Sequence, residues 1–132
     1  MWDVETDPPD RSAHGVPGEQ VYLSYAYLNA GDYDAFASLL ADDVTVQGPH
    51  GTAGRGRDGV IAAETSRQFR YSVEDVWVAG PRIVATGILY TRQAPVRETD
   101  FAAIFTLSKS GLISSCRTYV SHISADQAME VN

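Results

Sequence analysis

The chain has a single cysteine, Cys116, among its 132 residues, and so has no means of closing an internal disulfide or of assembling a thiolate metal cluster. That usage fits a reducing, cytoplasmic setting. Lysine is as scarce, with Lys109 alone. The remaining cations are arginines, among them Arg55, Arg57, Arg67, Arg70, Arg82, Arg92, Arg97 and Arg117, scattered without a run in a chain of net charge −7. A partner held by neutralising phosphates is excluded on that count, so neither nucleic acid nor an anionic membrane surface is expected. Three histidines, at 14, 50 and 122, show no HxH or HxxxH spacing, and no metal is expected. Nowhere is there an apolar run approaching the roughly 20 residues that cross a bilayer. The acidic, proline-rich start does not read as a secretory signal.

What is present describes a folded body. Hydrophobic residues make up 44% and charged residues 20%, an ordinary globular balance for one domain. Residues 1–17, with three prolines and no apolar period, read as a flexible arm. Its Trp2 is either part of a disordered leader or folds back onto the body or a partner chain. The domain proper spans 18–123 and a tail covers 124–132.

Val21, Tyr25 and Leu28 recur at helical spacing before Gly31, which predicts a first helix over 19–30. Asp32 caps a second, with Phe36, Leu39 and Leu40 on its buried face and Asp42 and Asp43 at its end. Val44 to Gln47 reads as a short strand, and the glycine-rich stretch 48–56 as loop. A third helix starts near Arg57 and Asp58 and carries Val60, Ile61 and Ala63. Runs 70–79, 82–92, 97–108 and 112–122, rich in Val, Ile, Thr, Phe and Tyr, read as four strands joined by hairpins. Helices followed by a meander make an α+β domain with the helices on one sheet face. In the run 97–108, alternation turns Thr99, Phe101, Ala103, Phe105 and Leu107 inward. Asp100 and Arg117 turn outward by the same count.

The order of elements, with "LNAGDYDAF", "LLADDVTVQGP", "GRGRDGV" and "GLISSCRTYVS", resembles the nuclear transport factor 2-like superfamily, and within it the SnoaL-like polyketide cyclases and ketosteroid isomerases. That resemblance implies a cone-shaped curved antiparallel sheet with three N-terminal helices enclosing an apolar pocket for a small hydrophobic molecule, no cofactor, and a homodimer across the outer sheet face. It also implies that the family's functional acids are missing. The isomerase base position falls on Gly48, the oxyanion acid on Ala103 and the oxyanion tyrosine on Ser24, while Ser121 stands where cyclases carry an acid late in the last strand.

Candidate chemistry is then small. His50, at the corner that rims the pocket in the family, is either a base or donor to a carbonyl or a solvated loop residue. Glu64 falls, by the resemblance, on the inner side of the third helix, where a carboxylate would be desolvated with a raised pKa; a rotated helix would give it to water. Tyr25 is the helix-one phenol on the face of Val21 and Leu28, placed either to polarise a substrate oxygen or to serve as a core edge. Ser24, Phe101, Ala103, Phe105, Cys116, Thr118 and Val120, with Ser114, would line the pocket. His122 would sit at its mouth or in solvent. The expectation is a cofactor-independent enzyme working by proton transfer (a cyclase, dehydratase or isomerase), against a ligand-binding or dimerisation module of the same fold.

Overall fold

Helix α1 (Pro17–Ala30) forms where Val21, Ser24, Tyr25 and Leu28 fall on one stripe, and all four are buried,. The computed structural model describes residues 17–48, 51–92 and 94–121; the expected arm with Trp2 and the expected C-terminal tail lie outside them. At the end of α1, Gly31 takes φ +74°, the Asp32 N–H reaches back to the Tyr27 carbonyl at 2.9 Å and the Gly31 N–H to that of Leu28 at 3.1 Å. This left-handed closure satisfies carbonyls the helix would otherwise leave open. Asp32 then caps α2 (Tyr33–Ala37) by accepting from the Ala35 N–H at 3.2 Å,.

Helix α2 is a single turn and stops well before Asp42. Leu40, expected on its buried face, instead opens β1 (Leu40–Gly48) and pairs with Ile113, whose N–H donates to the Leu39 carbonyl at 2.8 Å. Sheet pairing and burial of Leu40 and Val44 override a helical pattern too short to hold itself,. The second departure is β2 (Gly51–Arg55), which pairs antiparallel with β1 in the stretch expected to be irregular. Glycine suits it because the hairpin lies against the next helix: a Cβ on Gly54 would stand 2.8 Å from Val60 Cα,.

Helix α3 (Gly56–Arg67) follows, tied to β1 by Arg57, whose Nε donates to the Leu40 carbonyl at 2.9 Å and whose Nη1 meets Asp42 at 2.9 Å. Then come β3 (Arg70–Ala79), β4 (Arg82–Tyr90), β5 (Glu98–Leu107) and β6 (Ile113–Val120), close to the expected four strands. The six strands run in the order β2-β1-β6-β5-β4-β3, a curved, unclosed sheet that is antiparallel except where β1 lies parallel to β6. This is the expected α+β cone, with the helices on its concave side.

Alternation decides what faces that side. On β5, Phe101, Ala103 and Phe105 are buried, as expected, and Asp100 is exposed. Strand β6 departs from strict alternation at its start, because its register with β5 shifts at Leu107 and Ile113. Ile113 therefore points inward, and the Ser114 hydroxyl donates to the Thr106 carbonyl at 3.0 Å,. Strand β3 also carries an irregularity between Val73 and Asp75, opposite Gly87 of β4. No helix among the described residues is long and apolar enough to cross a membrane.

Candidate functional site

Between the concave sheet face and the helices lies a cavity of about 290 Å³. Apolar side chains make up most of its wall: Leu28 from α1, Phe36 from α2, Leu40 and Val46 from β1, Val60 from α3, and Leu89, Phe105, Ile113 and Val120 from the meander. The polar residues along it are Ser24, Tyr25, Gln47, Glu64, Arg67, Tyr71, Thr99, Cys116 and Thr118. A mainly apolar surface interrupted by polar groups is the usual design of a small-molecule site.

Glu64 sits on the same face of α3 as Val60, one turn on, and is 9% exposed. The helix is thus turned so that this carboxylate faces the cavity. Its Oε1 accepts from the Tyr71 hydroxyl at 3.1 Å and its Oε2 from Arg67 Nη2 at 2.9 Å. Burial pushes the Glu64 carboxyl above its ordinary range, and the Arg67 charge and the hydrogen bonds from Tyr71 and Arg67 pull against that rise,. The Tyr71 phenol is itself held well above its ordinary range, first by burial and then by the neighbouring Glu64 charge.

Local structure sets each member of the trio. Helix α3 ends at Gln68, left-handed at φ 53°, with its N–H on the Glu64 carbonyl at 2.9 Å. That turn brings the Phe69 ring under the Arg67 guanidinium, 5.6 Å from carbon to centroid,. Tyr71 is fixed by Asn29 of α1, whose Nδ2 donates to the Tyr71 carbonyl at 2.7 Å and whose Oδ1 accepts from the Tyr71 N–H at 2.8 Å.

Tyr25 lines the cavity beside this trio, its ring 4.9 Å from that of Tyr71, 5.6 Å from that of Phe101 and 5.8 Å from that of Phe105. Burial, more than the nearby Cys116, Tyr71 and Glu64, raises its phenol well above the ordinary range. The Ser24 hydroxyl is turned back on its own helix, donating to the Val21 carbonyl at 2.7 Å. Cys116 stands 3.8 Å from the Thr118 hydroxyl, and burial pushes its thiol up to about 12.

The structure thus brings Glu64, Tyr25, Ser24, Phe105, Cys116, Thr118 and Val120 together around one cavity. Phe101 and Ala103 face the same side but do not line the cavity: Phe101 lies against the Tyr25 and Tyr71 rings, and Ala103 is fully covered. His50 and His122 lie outside the described residues. Sequence reasoning missed Arg67 and Tyr71. The i,i+3 spacing from Glu64 pointed to Arg67, whereas nothing local joins Glu64 to a strand that starts after a helix end. Among the described residues no three His, Cys, Asp or Glu side chains come close enough to hold a metal ion.

Solved structures share this architecture. An NTF2-like protein from Cytophaga hutchinsonii is similar at a TM-score of 0.72 and 19% identity, covering 80% of this chain and 90% of its own. TerC, co-crystallised with polyporic acid, is similar at 0.72 and 19%, covering 87% and 99%. RV0760c from Mycobacterium tuberculosis, in complex with estradiol-17β-hemisuccinate, is similar at 0.65 and 18%, covering 78% and 92%. At such identities the likeness carries the fold alone. A search of the curated proteins finds none that matches. The model of the SnoaL-like domain matches residues 21–116, from the buried Val21 of α1 to the cavity cysteine of β6, and the chain belongs to that family, with a nuclear transport factor 2-like fold.

Proposed function

We propose that this chain is a cofactor-independent enzyme that moves protons on a small apolar molecule enclosed in the cavity, in a cyclisation, dehydration or isomerisation. The observation that carries the reading is Glu64, the one buried carboxyl among the described residues, set into a largely apolar wall with a phenol on one oxygen and a guanidinium on the other. A carboxyl raised by burial is closer to the pKa a general base or acid needs near neutrality. In this reading Glu64 takes a proton from a carbon next to a carbonyl, and the Tyr25 phenol donates a hydrogen bond to that carbonyl oxygen as charge develops there. His50 is the second candidate for the proton's return. Polyporic acid and estradiol-17β-hemisuccinate, named with two of the similar structures, support a small organic ligand. A homodimer across the outer sheet face, where Trp77 and Tyr119 are exposed, and a cytoplasmic location belong to the same reading.

A binding module without chemistry is the alternative, favoured by Gly48, Ala103 and Ser121 at positions where catalytic relatives carry acids. The two part on one assay. With 2-tetralone as an enolisable bicyclic probe, the protein should speed uptake of deuterium from heavy water at the carbons beside the carbonyl, and Glu64→Gln should slow it by about 10²–10⁴-fold. Exchange no faster than in buffer, with the probe bound, favours the module. Exchange unaffected by Glu64→Gln removes Glu64 from the chemistry, and His50→Gln is the variant that then locates the base.

A further inference from the structure

Arg67 is the only cation among the described residues that line the cavity. Its guanidinium has five N–H donors, of which one bond accounts for Nη2 to Glu64. Nε is buried without a partner among the described residues. Nη1 stands on the Gly48 side, 3.9 Å from where a Cβ on that residue would be. Gly48 has no carboxylate, or any other side chain, to offer it. Phe69 beneath the plane and Glu64 at one edge hold the group in place, so the donors that have no partner among the described residues are pre-set and lose little freedom on meeting an acceptor.

We propose that the cavity selects molecules carrying an anionic oxygen on an apolar body, a carboxylate, enolate or phenolate, and that Arg67 is the residue that binds this oxygen at the Gly48 side. The inference rests on reading the cavity as a small-molecule site and is independent of any catalysis in it. An anion beside Arg67 would also meet the Glu64 carboxylate. Charge stays balanced if the ligand enters as its acid: the ligand O–H breaks, its proton goes to Glu64, and the oxyanion stays on the guanidinium. Glu64, raised by burial, suits that exchange, with Tyr71, Tyr25 and Cys116 as the other titratable groups facing it.

The test is calorimetric binding of 2-naphthoate and of 2-naphthamide, two fused rings that differ in one group. The intact protein should prefer the acid by about tenfold or more, as a hydrogen bond to a charged partner allows. In Arg67→Met/Glu64→Gln, where both charges go together, the ratio should fall to near one with the amide affinity unchanged. A structural role for Arg67 would not move that ratio. Equal affinities in the intact protein overturn the inference, as does a preference that survives the double variant. Should the variant not fold, the ratio in the intact protein decides alone. If neither probe binds, the small-molecule reading of the cavity falls as well, whereas bound probes without proton exchange overturn only the catalytic reading.

Discussion

Replacing Tyr71 by Phe removes one oxygen from the cavity wall and leaves the rest of the side chain. The ring packs against those of Tyr25, Phe101 and Phe69 at 4.9, 5.8 and 6.3 Å between centroids, and a phenyl keeps all three contacts. What is lost is the 3.1 Å hydrogen bond to Glu64 Oε1. Such a bond contributes about 1.5–3 kcal/mol when its partner is ionised and about 0.5–1.5 kcal/mol when it is neutral. The effect must therefore follow the charge on Glu64.

Burial raises Glu64 above its ordinary 4.5. A carboxyl that holds its proton more tightly folded than unfolded contributes stability below that ordinary value, and the contribution is lost as pH rises through the raised folded value. Tyr71→Phe removes a donor that favours the charged form, so it moves Glu64 further up, by about one unit for each 1.4 kcal/mol lost. Urea unfolding of both proteins between about pH 4 and pH 8 reads this directly. The variant should be less stable by about 1.5–3 kcal/mol at the upper end, and the gap should narrow to about 1 kcal/mol or less at the lower end, with the denaturant slope unchanged. A gap of the same size at both ends, or none, would refute the reasoning, because it would mean that the hydroxyl does not interact with an ionised Glu64.

A Cβ on Gly87 would stand 2.0 Å from the Ser72 carbonyl oxygen and 2.9 Å from Val73 Cα. Both are backbone atoms, so Gly87→Ala should force β3 and β4 apart and lower stability by about 1–3 kcal/mol or more; a thermal midpoint equal to that of the unchanged protein would show that the strands part freely. The Cys116 thiol, pushed to about 12 by burial, should react with iodoacetamide near neutral pH on the order of 10³-fold more slowly in the folded protein than in urea. Intact-mass time courses measure this, and equal rates in the two states would mean that the thiol is open to solvent.

Much of the architecture was legible because it depends on local repetition. Val21, Tyr25 and Leu28 mark α1 by spacing alone, and the alternation of Phe101, Ala103 and Phe105 gives β5 its inward face whatever lies opposite. Glu64 could be placed on the inner side of α3 by resemblance, and Arg67 one helical step away is a consequence of helix geometry. The lengths of α2 and β1 were not legible, since Leu40 fits a helical stripe as well as a strand and only its pairing with Ile113 chooses between them. Nor was β2, where Gly54, unsuited to a strand by local preference, is needed for the close approach to α3. The shift in β6 that puts Ile113 inward breaks the period from which an orientation is read.

The site divides along the same line. Sequence alone turned the Tyr25 phenol toward an apolar interior, because a residue's place on a helix follows from its count along the chain, whereas the inward place of Glu64 came from the family resemblance and a helix rotated to give it to water stayed open. Only the tertiary structure decided that the Tyr71 hydroxyl meets Glu64, that Asn29 of a distant helix fixes Tyr71 in place, and that Arg67 stands beside Gly48. Those contacts join elements whose separation along the chain carries no period, and they are set by how α1 and α3 pack on the curved sheet.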